Sequence, residues 1–185
     1  MDKERVKKLV RELIIEIGED PTREGLKDTP ERIANMYQEI FDGYESDSEL
    51  SVQFSEDSDV VIARNIQFYS MCEHHMLPFF GKIHIAYSPN GRVFGISKLV
   101  RLVEKYSKRL QIQERLTKNI ADELFAQGVK GVVVLADAEH FCMKMRGVRN
   151  DAILTTSAYR GIYENREEKE NIMTMIRRRT SDISL

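Results

Sequence analysis

Two short cysteine–histidine clusters constrain this chain more than anything else in it. Cys72-Glu73-His74-His75 and His140-Phe141-Cys142 hold both cysteines and three of the four histidines, with His84 the fourth. A fold that uses the clusters together must bring the first against the end of the segment that carries the second. Cys72 and His75 are three apart, which puts both on one side of a single helical turn or tight loop. His140 and Cys142 are two apart, so both project from one face if the strand before them persists. Cys72, His75 and Cys142 make three metal ligands with one position open, the usual arrangement of catalytic zinc. His74 then points elsewhere. With His140 it is free for proton transfer, since an imidazole of ordinary pKa serves as acid or base near neutral pH. A zinc-held water with lowered pKa beside two such groups is hydrolytic machinery. Two other readings stand beside this one: a Cys72–Cys142 disulfide, and a closed structural zinc with His140 as fourth ligand.

The compartment bears on that choice. The N-terminal Met1-Asp2-Lys3-Glu4-Arg5 is charged, and no apolar run approaches the length of a membrane span. A cytoplasmic location is expected, where thiols stay reduced and Cys/His clusters favour metal sites over disulfides. The net charge of −2 argues against nucleic-acid or membrane-surface binding driven by overall charge.

Hydrophobic spacing predicts the elements. Val6, Leu9, Val10, Leu13, Ile14 and Ile17 mark one face of a first helix ended by Gly18. A second helix starts at Thr29 as N-cap with Pro30 behind it, and Gly43 stops it. Residues Tyr44 to Asp59 are acidic and serine-rich and read as a linker. The chain thus divides into an N-terminal helical region with linker, 1–59, and a domain, 60–185. In the latter, Val60–Tyr69 and Lys82–Tyr87 read as strands, followed by a Ser88-Pro89-Asn90-Gly91 turn. Helices are expected over Ser97–Lys108 and Gln113–Gln127, strands over Val132–Cys142 and Ala152–Tyr159, and a charged helix over Glu164–Arg179. Strand pairs separated by helices predict an α+β domain, an antiparallel sheet backed by helices.

Lys98 and Arg101 stand at a predicted helix start after Gly95-Ile96-Ser97, where free N–H groups attract anions; the plainer reading is a solvated helix face. Arg146 adds a cation just past Cys142. No phosphate-binding G-x-x-x-x-G-K-[ST], no H-E-x-x-H and no nucleobase-deaminase zinc signature is present.

With these residues in view, the chain resembles the GTP cyclohydrolase I family. The likeness lies in Gly25-Leu26-Lys27-Asp28-Thr29-Pro30-Glu31-Arg32, Met71–Phe79, Gly95-Ile96-Ser97-Lys98-Leu99, Gln111–Thr117 and Glu139–Gly147, and it is weakest over Tyr44–Asp59. The resemblance implies conversion of GTP and water to formate and 7,8-dihydroneopterin triphosphate, the entry to folate-type or biopterin-type pterins. It implies zinc on Cys72, His75 and Cys142, with activated water attacking C8 of guanine. His74 and His140 match proton-handling residues, and Ser97 a residue at the ribose-phosphate end. Lys98, Arg101, Arg146 and Arg32 match triphosphate-holding cations, while Gln113 and Glu114 match the pair that reads guanine. The implied fold is the tunnelling fold, with sheets of several subunits joined into a barrel in a toroidal decamer. Its sites lie at subunit interfaces, so Arg32 or one of the zinc-side clusters acts from a neighbouring chain. The alternative to this enzyme is a non-catalytic, zinc-stabilised oligomer that binds a nucleotide.

Overall fold

The computed structural model describes residues 1–46, 50, 53–56 and 58–177. Parts of the expected linker, and Arg178 and Arg179 of the expected last helix, lie outside them.

Helix α1 (Lys3–Glu16) begins at Asp2, whose carboxylate accepts from the Arg5 amide at 3.0 Å and satisfies one free N–H. Helix α2 (Thr29–Ile40) packs on it, with Lys7 bridging Glu4 and Glu31. Its cap position is Asp28, which makes no side-chain capping bond, so Thr29 is the first helical residue rather than the cap. Only part of α1's apolar row is covered: Val10 and Ile14 are buried, while Leu9, Leu13 and Ile17 stay exposed. After a 3-10 turn, Asp42–Tyr44, the chain is hooked onto the domain. The Gly43 amide donates to the Lys108 carbonyl, and Arg109 donates to the Gly43 carbonyl through Nε at 2.9 Å and a terminal nitrogen at 2.5 Å. A β-carbon at Gly43 would lie 2.5 Å from the Lys105 carbonyl oxygen, so glycine alone permits this approach.

The segment read as a linker holds a short strand, β1 (Gln53–Ser55). The next strands are longer than their hydrophobic cores predict. β2 (Val61–Cys72) and β3 (Pro78–Ser88) form a hairpin, so the Cys72 cluster is its connecting loop. Pro78 suits the first residue of a strand, where no ladder N–H is needed. Then follow β4 (Arg92–Phe94), which pairs with β1; α3 (Ile96–Ser107); β5 (Leu110–Gln111); and α4 (Gln113–Phe125). β6 (Gly131–His140) runs into a single helical turn, α5 (Phe141–Lys144). β7 (Leu154–Gly161), a 3-10 turn and α6 (Arg166–Arg177) complete the described chain.

The main sheet has the order β5-β2-β3-β6-β7 and is antiparallel apart from the short parallel β2–β5 pair. The α+β expectation is met. Side chains alternate across it. One face, with Phe79, Ile83, Ile85, Tyr87, Val132, Val134 and Ala136, packs on Leu99, Leu102 and Val103 of α3 and on Leu116, Ile120 and Leu124 of α4. The other face packs Ala86, Val133 and Leu135 on Tyr163 and on Ile172 and Ile176 of α6. Gly81 lets β6 close on β3: a β-carbon there would come within 1.9 Å of the Asp137 carbonyl oxygen. His140 shares the α4-facing side with Val132, Val134 and Ala136, at the same end of the sheet as Cys72.

Candidate active site

The first cluster is shaped by the hairpin that carries it. The Cys72 amide donates to the Leu77 carbonyl at 2.9 Å, and the Met76 amide returns to the Cys72 carbonyl at 2.8 Å. Met76 closes the loop with φ +51°, in the left-handed region. Cys72 is buried, while His74 and His75 are exposed. His74 does not swing away: its Nδ1 lies 3.8 Å from the Cys72 sulfur. Two anchors hold the loop, one to β5 and one to the start of α4. The Glu73 amide donates to the Gln111 carbonyl at 3.1 Å, and Arg115 clasps the Glu73 carboxylate with both terminal nitrogens, at 2.5 and 3.2 Å. That guanidinium holds the Glu73 carboxyl below the usual range.

The second cluster differs from expectation. β6 ends at His140, and Cys142 sits in the helical turn of α5. The two residues therefore do not share a strand face, and the turn carries the Cys142 thiol to the first cluster. The ligand atoms of Cys72, His75 and Cys142 lie within 4.8 Å of one another, the one such grouping of three among the described residues. Both cysteines are free, so the disulfide reading falls. Burial, and then the adjoining Cys72 thiol, push the Cys142 thiol up. Arg146, just past α5, reaches His75 Nε2.

His140 is held apart from that grouping. Its ring stacks on Phe79, centroids 4.6 Å apart and planes within 4°. Its Nε2 lies 2.8 Å from Gln113 Oε1, and Gln113 is buried at 1% exposure. Burial lowers the His140 pKa from its ordinary value, with the Glu114 charge opposing. Glu114 itself is exposed at the first turn of α4 and lines a cleft of about 470 Å³ with Lys118, Arg160 and Lys169.

The remaining sequence-predicted residues lie elsewhere in the chain. α3 packs along β2, its first turn beside Val61–Ile66 and its end leading into β5 next to Cys72. Ser97 and Lys98 are thus at the far end of β2, roughly 20 Å from Cys72 at the rise of a strand. Arg101 lines a small cleft with Gly43 and Lys108. Arg32 is on α2, 3.6 Å from Asp28.

Comparison with known proteins places this arrangement. The sequence profile of the family GTP cyclohydrolase I matches residues 6–177. The chain belongs to the GTP cyclohydrolase I family. A relative named GTP cyclohydrolase 1 from Hyperthermus butylicus is 51% identical over 178 residues, covering 95% of this chain and 92% of its own length. One of the same name from Clostridium kluyveri is 52% identical over 176 residues, covering 92% and 95%. A solved archaeosine synthase QueF-Like in the apo form is 17% identical with a TM-score of 0.49, and covers 57% of this chain and 97% of its own.

For this member of the GTP cyclohydrolase I family, the donor set itself tests for a metal. Two sulfurs and one ring nitrogen suit zinc, and tetrahedral ligand sulfurs stand about 3.8 Å apart at normal bond lengths. The three atoms, within 4.8 Å, need little movement to reach that spacing. Sequence reasoning gave no role to Glu73, Arg115 or Phe79. Their contacts join residues distant in sequence, so spacing carried no signal for them; all three lay inside the family's motifs.

Proposed function

We propose that this chain is a GTP cyclohydrolase I, converting GTP and water to formate and 7,8-dihydroneopterin triphosphate in the cytoplasm. The observation that carries the reading is the gathering of Cys72, His75 and Cys142 in a chain of this family. These three residues would hold zinc, which when bound would supply a Lewis acid able to lower the pKa of water. His74, 3.8 Å from the Cys72 sulfur, and His140, two residues before Cys142, are the groups that move protons in this reading. Glu114 offers a carboxylate to the guanine edge, a paired hydrogen-bond geometry that adenine lacks. Arg146 holds the triphosphate near the metal, with Arg32, Lys98 and Arg101 as further cations.

The start of α3 calls for a second copy. Ser97 and Lys98 sit at the opposite end of β2 from the metal cluster, which supports their serving the site of a neighbouring chain. Two further features favour assembly. β7 is an edge strand with no second partner among the described residues, open to continuation of the sheet into a barrel of the tunnelling fold. The exposed row Leu9, Leu13 and Ile17 is an apolar surface of the kind that subunits cover. A toroidal decamer satisfies both.

The test is to incubate zinc-loaded protein with GTP and assay formate together with a fluorescent pterin after oxidation. Both products are expected; nucleotide binding with neither product would establish the non-catalytic alternative. Glu114→Ala should abolish discrimination of GTP from ATP, and unchanged discrimination would remove Glu114 from the site.

A further inference from the structure

Three consecutive residues open α4, and each faces a different part of the molecule. Gln113 fixes the turn to the sheet. It is 1% exposed, and its Nε2 donates to the Ala136 carbonyl of β6 and to the Leu154 carbonyl of β7, each at 2.9 Å. Glu114 lines the cleft with Lys118 and Arg160. Arg115 reaches the metal loop and sets its two terminal nitrogens on the two oxygens of Glu73, the residue between Cys72 and His74. An exposed ion pair is ordinarily worth little, because two long side chains must be ordered to hold it. Here much of that ordering is built in. The Arg115 guanidinium also lies 3.5 Å from Gln111 Oε1, and Gln111 is 2% exposed. That glutamine is itself locked: its Nε2 donates to the Tyr106 carbonyl and its Oε1 accepts from the Ile112 amide, both at 3.2 Å. The Gln111 carbonyl accepts from the Glu73 amide. Glu73 is thus held at its amide and at its carboxylate, and a planar fork on a carboxylate fixes direction as well as distance.

We infer that Arg115 is a positioning residue: through Glu73 it holds the loop of residues 72–75 in register with the turn of α4 that carries Glu114. One rigid element then sets both the metal-ligating loop and the carboxylate that reads the base. This rests on the proposed cyclohydrolase reading and adds to it a residue that acts through the loop rather than on metal or nucleotide. Cys72 and His75 must be presented together toward Cys142, and a loop free to wander presents them less often. Residues that orient metal ligands from outside are worth about 10- to 100-fold in metal affinity or turnover. Substrate affinity is a separate matter, because Glu114 and the triphosphate cations stay in place when Arg115 is changed.

The test is a double-mutant cycle on the full chain with Arg115→Met, Glu73→Gln and both together. Zinc affinity is measured by competition with a chelator, and kcat and KM for GTP at saturating zinc. Each single substitution should weaken zinc binding about 10-fold or more and lower kcat about 10-fold, while KM stays within about twofold. The double variant should lose no more than the worse single, because the two residues act as one unit. Arg115→Lys keeps the charge but cannot grip both oxygens, and should fall between. A rise in KM for Arg115→Met alone, with zinc affinity and kcat kept, would make Arg115 a substrate-holding cation and overturn the inference. Additive losses overturn it too, as do zinc affinity and kcat unchanged in both singles. If Arg115→Met does not fold, Glu73→Gln removes the same clamp from the loop side and decides. Formate release by the unaltered protein, matched by both variants, rejects this inference and keeps the proposed function. Weakened zinc binding in variants of a protein that releases no formate rejects the function and keeps the clamp.

Discussion

The two ends of strand β2 are built to different standards. At the Cys72 end, the hairpin loop is tied to β5 through the Glu73 amide and to α4 through Arg115, and His140 is bracketed by Phe79 and Gln113. The loop and His140 are thus each held by a bidentate or buried partner, the kind of support a preorganised site requires. At the other end, Ser97 lies exposed on the first turn of α3, at a helix start that offers N–H groups. One end is a finished half of a site within a single chain. The other, in the proposed function, gains its purpose against a second copy. Chemistry needs preorganisation, whereas holding a triphosphate needs charge in reach.

Substitutions at the finished end should therefore have the larger effects and alter metal or turnover rather than affinity. Cys142→Ser removes one of three ligands, and both bound zinc and formate production should fall below detection. Metal analysis and a formate assay on the same sample check this, and turnover by metal-free protein would sink the zinc mechanism. His140→Ala comes next. It should keep its zinc and lose roughly 100- to 10,000-fold in kcat, the range of a proton-transfer group. Loss of the metal instead would make His140 a fourth ligand and the centre structural.

The α3 end should answer differently. Lys98→Ala with Arg101→Ala should leave zinc content unchanged and raise KM for GTP by about 10-fold or more for each cation removed from the triphosphate. The comparison of ends sharpens if the double variant is unfolded and reassembled with Cys142→Ser chains. Sites composed of an intact metal end and an intact α3 end then reappear, and activity should exceed that of either parent. No recovery would place all the working residues in one chain.

How far this contrast was legible in the sequence depends on what each feature needed. The amphipathic helices and the cores of the long strands were plain, because burial on one face imposes its period on Leu116, Ile120 and Leu124 or on Ile83 and Ile85. The metal triad was also readable, since few roles call for two cysteines beside histidines. The hairpin around Cys72 was not. Its polar loop has no alternation, and β2 and β3 extend to it because they pair with each other and with β6, a long-range choice that local pattern does not record. Cys142 was assigned to a strand for the same reason: nothing local marks the switch to a helical turn after His140. The ties Glu73–Arg115 and His140–Gln113 depend on where α4 docks, which only the assembled sheet determines.

The smallest effect expected lies at the α3 end of the sheet and concerns stability alone. Asn65, at a bulge in β2 with φ +58°, donates its amide to His84 Nδ1 at 3.4 Å. Burial pushes the His84 imidazole below its ordinary value, Asp137 pulls it back, and Arg64 and Lys82 add to the lowering. A depressed folded pKa means that the unfolded chain takes up this proton first as pH falls. His84 thus contributes stability that is fully present above its unfolded pKa of about 6.5 and is lost as pH drops through the folded value. Protonation would also remove the acceptor that Asn65 uses. Urea unfolding of zinc-loaded protein on both sides of that window should show a smaller decline for His84→Gln than for the unaltered chain. Metal release at low pH is common to both proteins and cancels in the difference. An equal decline would mean that this end of the sheet carries no titrating group of consequence, and that the whole acid sensitivity of the molecule belongs to the metal end.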